Sequence, residues 1–419
     1  MPSVEIPTLR SEAEVRDRRL RERLDAVIPA VMEREGIDAW VLTAREYNED
    51  PVLLTMLPAT WMSARRRTIL VFTDRGRNRA AVSRYAVGDA FPGIWDPAAD
   101  DQWSCLASHL AAADPASIAV NRSPTTAFAD GISASEHAAF VAALPAHLQE
   151  RIVPAGALAV GWLETRIAEE VAANGEACRL GHELLARALS AEVIEPGATT
   201  TADVAWWLRE RVRDLGLLCW FHPGVSLQRA REGAPESFAA APEGRIIEVG
   251  DLVHIDFGFV YLGLHTDQQQ HGYVLRPGED DAPEGLRTGL AAANRVQDLV
   301  LAEFATGKTG DAVLSAALVA GRAAALRPMI YSHPIGLHGH GAGPSIGLWD
   351  HQDGVPGTGP LPIHPDTAWS IELSAAVDVP EWGGGEVRIM VEEDAFFDGE
   401  TCRWLDGRQE RLHLIGPPA

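Results

Sequence analysis

Cysteine is scarce in this 419-residue chain, and its four copies, Cys105, Cys178, Cys219 and Cys402, show no CxxC spacing. That pattern favours reduced structural thiols over a disulfide frame or a zinc knuckle, and no chemistry is assigned to them. Positive charge is short as well: 36 Lys and Arg stand against 59 Asp and Glu, a formal charge of −23. Such a chain repels phosphate backbones and anionic headgroups, so neither nucleic acid nor a membrane surface is expected as a partner. Much of the excess is read as solvated surface. No run of about 18 apolar residues is present that could cross a bilayer. Residues 1–11 carry prolines and mixed charge where a secretory signal would show a basic and then an apolar stretch, so a cytoplasmic protein is expected. No repeat of solenoid period stands out.

What is present is enough apolar sequence, 46% of residues, for more than one core, and the length calls for two domains. Residues 1–160 read as a small α/β domain. A helix is expected over 14–35, where Leu20, Leu24, Val27, Ile28 and Val31 recur at helical spacing before Gly36. Short apolar runs at 39–43, 68–73, 80–83 and 117–120 read as strands. Residues 161–419 change character. Helices are expected from Glu164 up to the break at Glu195-Pro196-Gly197, over 201–215 and over 289–304, and strands over 252–260, 273–275, 369–377 and 387–397. This is an α+β layer arrangement. The Gly/Pro-rich stretch 354–365 reads as a surface loop.

Within that second half, acidic residues interrupt apolar strands. Asp256 closes the run Gly250-Asp251-Leu252-Val253-His254-Ile255-Asp256, and Asp267 follows eleven residues later across a turn near 261–263. In a hairpin folded there, the two carboxylates stand roughly opposite one another on one sheet face. Side-by-side carboxylates repel unless one is protonated or a cation lies between them. His333, His338 and His340 fall within eight residues. Glu372 sits in Ser-Ile-Glu-Leu-Ser and Glu392 in Arg388-Ile-Met-Val-Glu-Glu-Asp, where alternation puts Arg388, Met390, Glu392 and Asp394 on one face and Glu393 on the other. Oxygen-rich ligands with one imidazole suit one or two divalent ions such as Mn, Co, Fe or Zn.

From residue 164 onward the chain resembles the M24 metallopeptidases of the pita-bread fold, which include methionine aminopeptidase, aminopeptidase P, prolidase and the related creatinase. The resemblance lies in the eleven-residue aspartate spacing after a Gly-Asp-hydrophobic strand, in HxxGxxxH at His333, Gly336 and His340, and in the two glutamate strands. It implies a C-terminal pita-bread domain preceded by a smaller creatinase-like α/β domain. It also implies metal ligands Asp256, Asp267, His333, Glu372 and Glu392, with Asp267 and Glu392 bridging two divalent metal ions, Mn favoured. A bridging hydroxide would attack, Glu372 shuttling the proton and His340 donating a hydrogen bond to the tetrahedral intermediate. Arg388 is placed to orient Glu392. The implied function is a Xaa-Pro aminopeptidase or dipeptidase acting on small peptides as a homodimer.

The chain departs from the family where substrate would lie. Met329 stands where a further histidine is usual, the 237–239 neighbourhood lacks another that His222 could replace, and Gln268-Gln269-Gln270-His271 follows Asp267 in place of an arginine-bearing segment. A non-peptide C–N substrate, handled by a hydrolase or lyase of the same fold, is therefore the alternative, and a catalytically silent binding protein is a third reading. More distantly, Gly343-Pro-Ser345-Ile-Gly347 fits GxSxG, with Asp394 or Asp398 and His413 in the order of a serine-hydrolase triad. That motif requires a strand directly before the serine, and Gly339-His-Gly-Ala-Gly343 is a poor strand.

Overall fold

A computed structural model describes residues 4–230, 232 and 244–416. The chain divides into two compact units, Pro7–Ile167 and Ala168–Ala419, the latter joined by Met1–Ile6.

The smaller unit opens with α1 (Leu9–Glu35), which begins five residues ahead of the apolar periodicity because the Thr8 side chain accepts from Ser11 N and so caps it there. It ends where expected, at Gly36 in the left-handed conformation (φ 66°). Strands β1 (Ala39–Arg45), β2 (Arg67–Thr73), β3 (Asn78–Ser83), β4 (Ile118–Val120) and β5 (Ile152–Pro154) form one sheet in the order β3-β2-β1-β4-β5. β1, β4 and β5 run parallel, while β2 and β3 join by antiparallel pairing. Helices α2 (Pro51–Leu54), α3 (Gln102–Ala113), α4 (Ala134–Ala143), α5 (Ala146–Gln149) and α6 (Gly156–Glu164) connect and cover it. Val41, Ile69, Val71, Leu106, Leu110 and Phe140 share its core. At the end of α6 the Glu164 carboxylate is buried with no hydrogen bond to either oxygen, 3.8 Å from Arg34. Burial pushes its pKa up to about 8.

The larger unit begins with α7 (Ala168–Ala188) and α8 (Thr201–Asp214), the second opened by a reciprocal Thr200–Asp203 capping box. Thr165–Ile167 separates α7 from α6, so the helix expected from Glu164 is two helices, and α7 stops before the Pro-Gly break. Strands β6 (Leu218–Cys219), β7 (Gly224–Gln228), β8 (Leu252–Phe257), β9 (Phe259–Tyr261), β10 (Leu264–His265) and β11 (Gln268–Val274) follow. Helices α9 (Glu284–Leu301) and α10 (Gly310–Ala323) precede β12 (Pro328–Ile330), β13 (His333–Pro334), β14 (Thr367–Ser370), β15 (Leu373–Val379), β16 (Gly385–Val391), β17 (Asp394–Phe397), β18 (Cys402–Trp404) and β19 (His413–Ile415). Sequence periodicity missed α10, and it caught only the apolar end of β11, whose first four residues, Gln-Gln-Gln-His, are polar yet buried. Residues 354–365 are irregular, as expected, and are tied down by Asp311, which accepts from Val355 N at 2.9 Å.

Strand order places the chemistry. The sheets are β19-β11-β8-β7, β10-β9-β6, β12-β15-β16 and β13-β14-β17-β18. Each long strand is thus cut in two and contributes its halves to different sheets: β8 and β9, β10 and β11, β12 and β13, β14 and β15, β16 and β17. The expected continuous strands 252–260, 369–377 and 387–397 break at Gly258, at Ile371-Glu372 and at Glu392-Glu393. Two apolar cores back these sheets, one with Leu290, Val296, Val313 and Ile389 under α9 and α10, the other with Leu180, Leu184, Val204 and Val253 under α7 and α8. Among the described residues no helix is long and apolar enough to cross a membrane.

Candidate metal centre

The strand breaks gather the acidic residues. On β8 the pleat sends Val253, Ile255 and Phe257 into the apolar core and turns His254 and Asp256 the other way. The hairpin turns at Leu262 and Gly263, both at positive φ, as a two-residue turn matched to strand twist. Its register sets Asp256 opposite Gln269, not opposite Asp267 as the sequence suggested. Asp267 lies at the β10–β11 break, one pleat along on the same face, so the two aspartates are diagonal neighbours. His333 opens β13, and Glu372 and Glu392 occupy the β14–β15 and β16–β17 junctions outside regular strand.

All five predicted residues meet there. Three triads have ligand atoms mutually within 4.8 Å: Asp256, Asp267 and Glu392; His333, Glu372 and Glu392; and Asp267, His333 and His340. His333 Nδ1 donates to Pro334 O at 3.0 Å, which leaves Nε2 as the free lone pair, 3.5 Å from Glu392 Oε1 and 3.9 Å from Asp267 Oδ2. Buried atoms Asp256 Oδ1, Asp267 Oδ1 and His333 Nε2 have no hydrogen-bond partner. Unpartnered acceptors facing one another at this density fit a divalent cation, and the donor set is carboxylate oxygen with a single imidazole. Burial, and after it the charge of Glu392, pushes Asp256, Asp267, Glu372 and Asp394 well above the usual carboxylate range. His340 packs edge-on to His333 at 4.8 Å between ring centroids, with Tyr331 and Trp220 beside it.

Other expectations are corrected. Arg388 does not orient Glu392; its Nη1 donates to Ser374 Oγ at 3.1 Å, since the three residues between it and the glutamate carry it away along the strand. Glu392 is held by Ser370 Oγ at 2.5 Å and by Gln269 Nε2 at 2.6 Å. The serine-hydrolase reading fails on geometry. No strand precedes Ser345, whose hydroxyl meets Thr358 Oγ1 at 2.9 Å. His413 bonds Gln270 at 2.8 Å, Asp398 caps its own turn through Thr401 N, and Asp394 lies by Cys178 and Asp267 N. All four cysteines are free. Residues 237–239 lie outside the described residues, and His222 is exposed at the mouth of a cavity beside the cluster.

A model of metallopeptidase family M24 matches residues 173–394, more than half of the chain. The chain belongs to that family. Solved structures similar to this M24 protein include an X-Pro aminopeptidase from Thermotoga maritima (17% identity, 92% of this chain and 99% of that one, TM-score 0.65). An Xaa-Pro dipeptidase from Bacillus anthracis is alike at 16% identity over 94% of this chain and 99% of its own, TM-score 0.64. The N-terminal domain of the FACT complex subunit SPT16 from Cicer arietinum also matches, at 10% identity, 95% and 99% coverage and TM-score 0.60. At such identities these likenesses establish the pita-bread fold and nothing further. None of the curated proteins compared with this M24 protein matches it.

The network around the cluster was only partly visible in the sequence. Gln269 and His254 share the faces of Asp267 and Asp256 by simple alternation, and that signal would have found them. Gln268 and Gln270 face the other way and hold buried Glu393 at 3.2 and 2.9 Å. His182 joins Glu393 at 2.6 Å from α7, a contact no local pattern announces.

Proposed function

We propose that this protein is a metal-dependent hydrolase with two divalent cations, Mn favoured, that cleaves small peptides as an aminopeptidase or dipeptidase of the Xaa-Pro type. The observation that carries this is the convergence of Asp256, Asp267, His333, Glu372 and Glu392 at one set of strand breaks, with unpartnered acceptors facing inward. Asp267, His333 and Glu392 each belong to two triads, and of these only the two carboxylates, with two oxygens each, would hold both ions; Asp256 would complete one set, His333 and Glu372 the other. Bound cations supply an acidified water and a polarised carbonyl. Glu372, buried and lining the adjoining cavity, is the group to take and return the proton. His340, whose pKa burial and then His333 hold below the ordinary value, is neutral at pH 7 and donates a hydrogen bond to the developing oxyanion. The same reading carries a cytoplasmic homodimer.

One observation supports a second substrate class. The cavity beside Asp256 and Glu372, about 410 Å³, is walled by Phe221, His222, Trp349 and Met390, and no arginine or lysine lines it among the described residues. A dipeptide's carboxylate finds no cation there, which favours longer peptides or a non-peptide C–N substrate over dipeptides. Metal-stripped protein assayed on Xaa-Pro dipeptides and tripeptides with and without Mn²⁺, Co²⁺ or Zn²⁺ tests both. Metal-restored cleavage supports the peptidase reading, and product size separates aminopeptidase from dipeptidase. Stoichiometric metal uptake without cleavage moves the function to a non-peptide substrate, and absence of metal uptake sinks the hydrolase altogether.

A further inference from the structure

A buried file of polar side chains runs into the carboxylate cluster from the sheet behind it. Ser226 on β7 is the register partner of His254 on β8, its Oγ 3.3 Å from Nδ1 of the ring. His254 Nε2 lies 2.9 Å from Oε1 of Gln269 on β11. The Gln269 amide then donates from Nε2 to Glu372 Oε1 at 2.7 Å and to Glu392 Oε2 at 2.6 Å.

Chemistry fixes the direction of this file. A carboxamide has one donating and one accepting end, and two carboxylates are met only by the donating end. Gln269 Oε1 must then accept, so the His254 proton sits on Nε2 and its Nδ1 accepts from the Ser226 hydroxyl. Were the amide reversed, an oxygen would face two carboxylates in a site where Gln269 is 1% and Glu392 1% exposed. The side chain is also separable from the backbone's structural task. Gln269 N donates to Glu392 O at 2.9 Å and joins the two sheets whatever side chain stands there.

We propose that Gln269 is a positioning residue of the candidate metal centre: its amide, aimed by His254 and Ser226, holds Glu372 and Glu392 at the spacing in which they take up a divalent cation. This rests on the metal-centre reading above and adds to it a residue that touches no ion. Partners that orient ligands from behind change metal affinity by roughly 10–100-fold when removed.

The test is calorimetric titration of Mn²⁺ into metal-stripped full-length protein, with the visible absorption of the Co²⁺-loaded protein as the spectroscopic readout. Gln269→Leu is expected to weaken Mn²⁺ binding roughly 10–100-fold and to change the position and intensity of the Co²⁺ bands. Ser226→Ala, remote from the carboxylates, is expected to move both readouts the same way and less. A Gln269→Leu protein that folds and keeps wild-type affinity and Co²⁺ spectrum overturns the proposal. If that variant does not fold, Ser226→Ala and His254→Leu decide it, and wild-type behaviour in both overturns it. A folded wild-type protein that takes up neither ion would remove the metal-centre reading and this role together, whereas unchanged variants beside a metal-binding wild type remove this role alone.

Discussion

Asp267 shows how much a single residue carries in this fold. It is 4% exposed, leaves one carboxylate oxygen without a partner, and is surrounded by Glu392, Asp256, Glu372 and Asp394. Asp267→Ala is expected to abolish turnover and metal uptake while leaving the melting temperature of the metal-free protein unchanged or higher, because one of several crowded charges is gone. Scanning calorimetry and metal analysis on the same preparation check it; a variant with normal turnover would sink the site assignment. In the smaller unit, Glu164 offers a residue-level test by pH. Its folded pKa of about 8 stands above the ordinary 4.5, so its favourable contribution is complete below about pH 4.5 and is lost as pH rises through 8. Glu164→Gln should therefore melt progressively higher than wild type between pH 5 and 8.5, and parallel melting curves across that window would contradict the assignment. At this scale the sequence was most legible where chemistry is rare: buried carboxylates eleven apart and a histidine triplet announce themselves. Ser226 and Ser370 did not, because uncharged polar residues in a strand look the same whether they face water or a buried carboxylate, and Gln269 stood out only by its alternation with Asp267.

The strands were harder to read. Hydrophobic alternation runs on through 369–377 and 387–397, so sequence gave continuous strands, yet the chain leaves one sheet for another at Glu372 and again at Glu392. Which sheet a half-strand joins is decided by partners far away in sequence, and periodicity within a segment carries no record of them. The break at Gly258 has a local cause. A Cβ there would lie 2.3 Å from both Thr266 O and Trp220 Nε1, and these two atoms already form a 2.8 Å hydrogen bond. Gly258→Ala should lower stability by about 1–3 kcal/mol, as overpacking commonly does. It should also weaken Mn²⁺ binding, since that break sets the offset between Asp256 and Asp267. Urea midpoints and metal titration of one variant check both, and a loss of stability with unchanged affinity would detach the break from the site.

For the molecule as a whole, two units with separate cores predict two melting transitions, only one of which answers to metal. Free Mn²⁺ at a hundred times its dissociation constant should raise the stability of the 168–419 unit by about 2.7 kcal/mol, and a chelator should reverse it, with the other transition unmoved. Leu70→Ala, in the sheet of the smaller unit, identifies which transition is which. Sequence foresaw the α/β and α+β characters because helix and strand periods differ so plainly, whereas α10 was missed although Val313, Leu314, Ala317 and Leu318 recur at helical spacing and share one buried face.

The five clustered residues come from separate breaks strung between positions 256 and 392. A chain emerging from the ribosome in order has the aspartate pair long before it has the last glutamate. Any product cut short ahead of residue 392 therefore lacks a complete cluster, however well its helices form. Completion of the cluster thus reports that synthesis has passed residue 392.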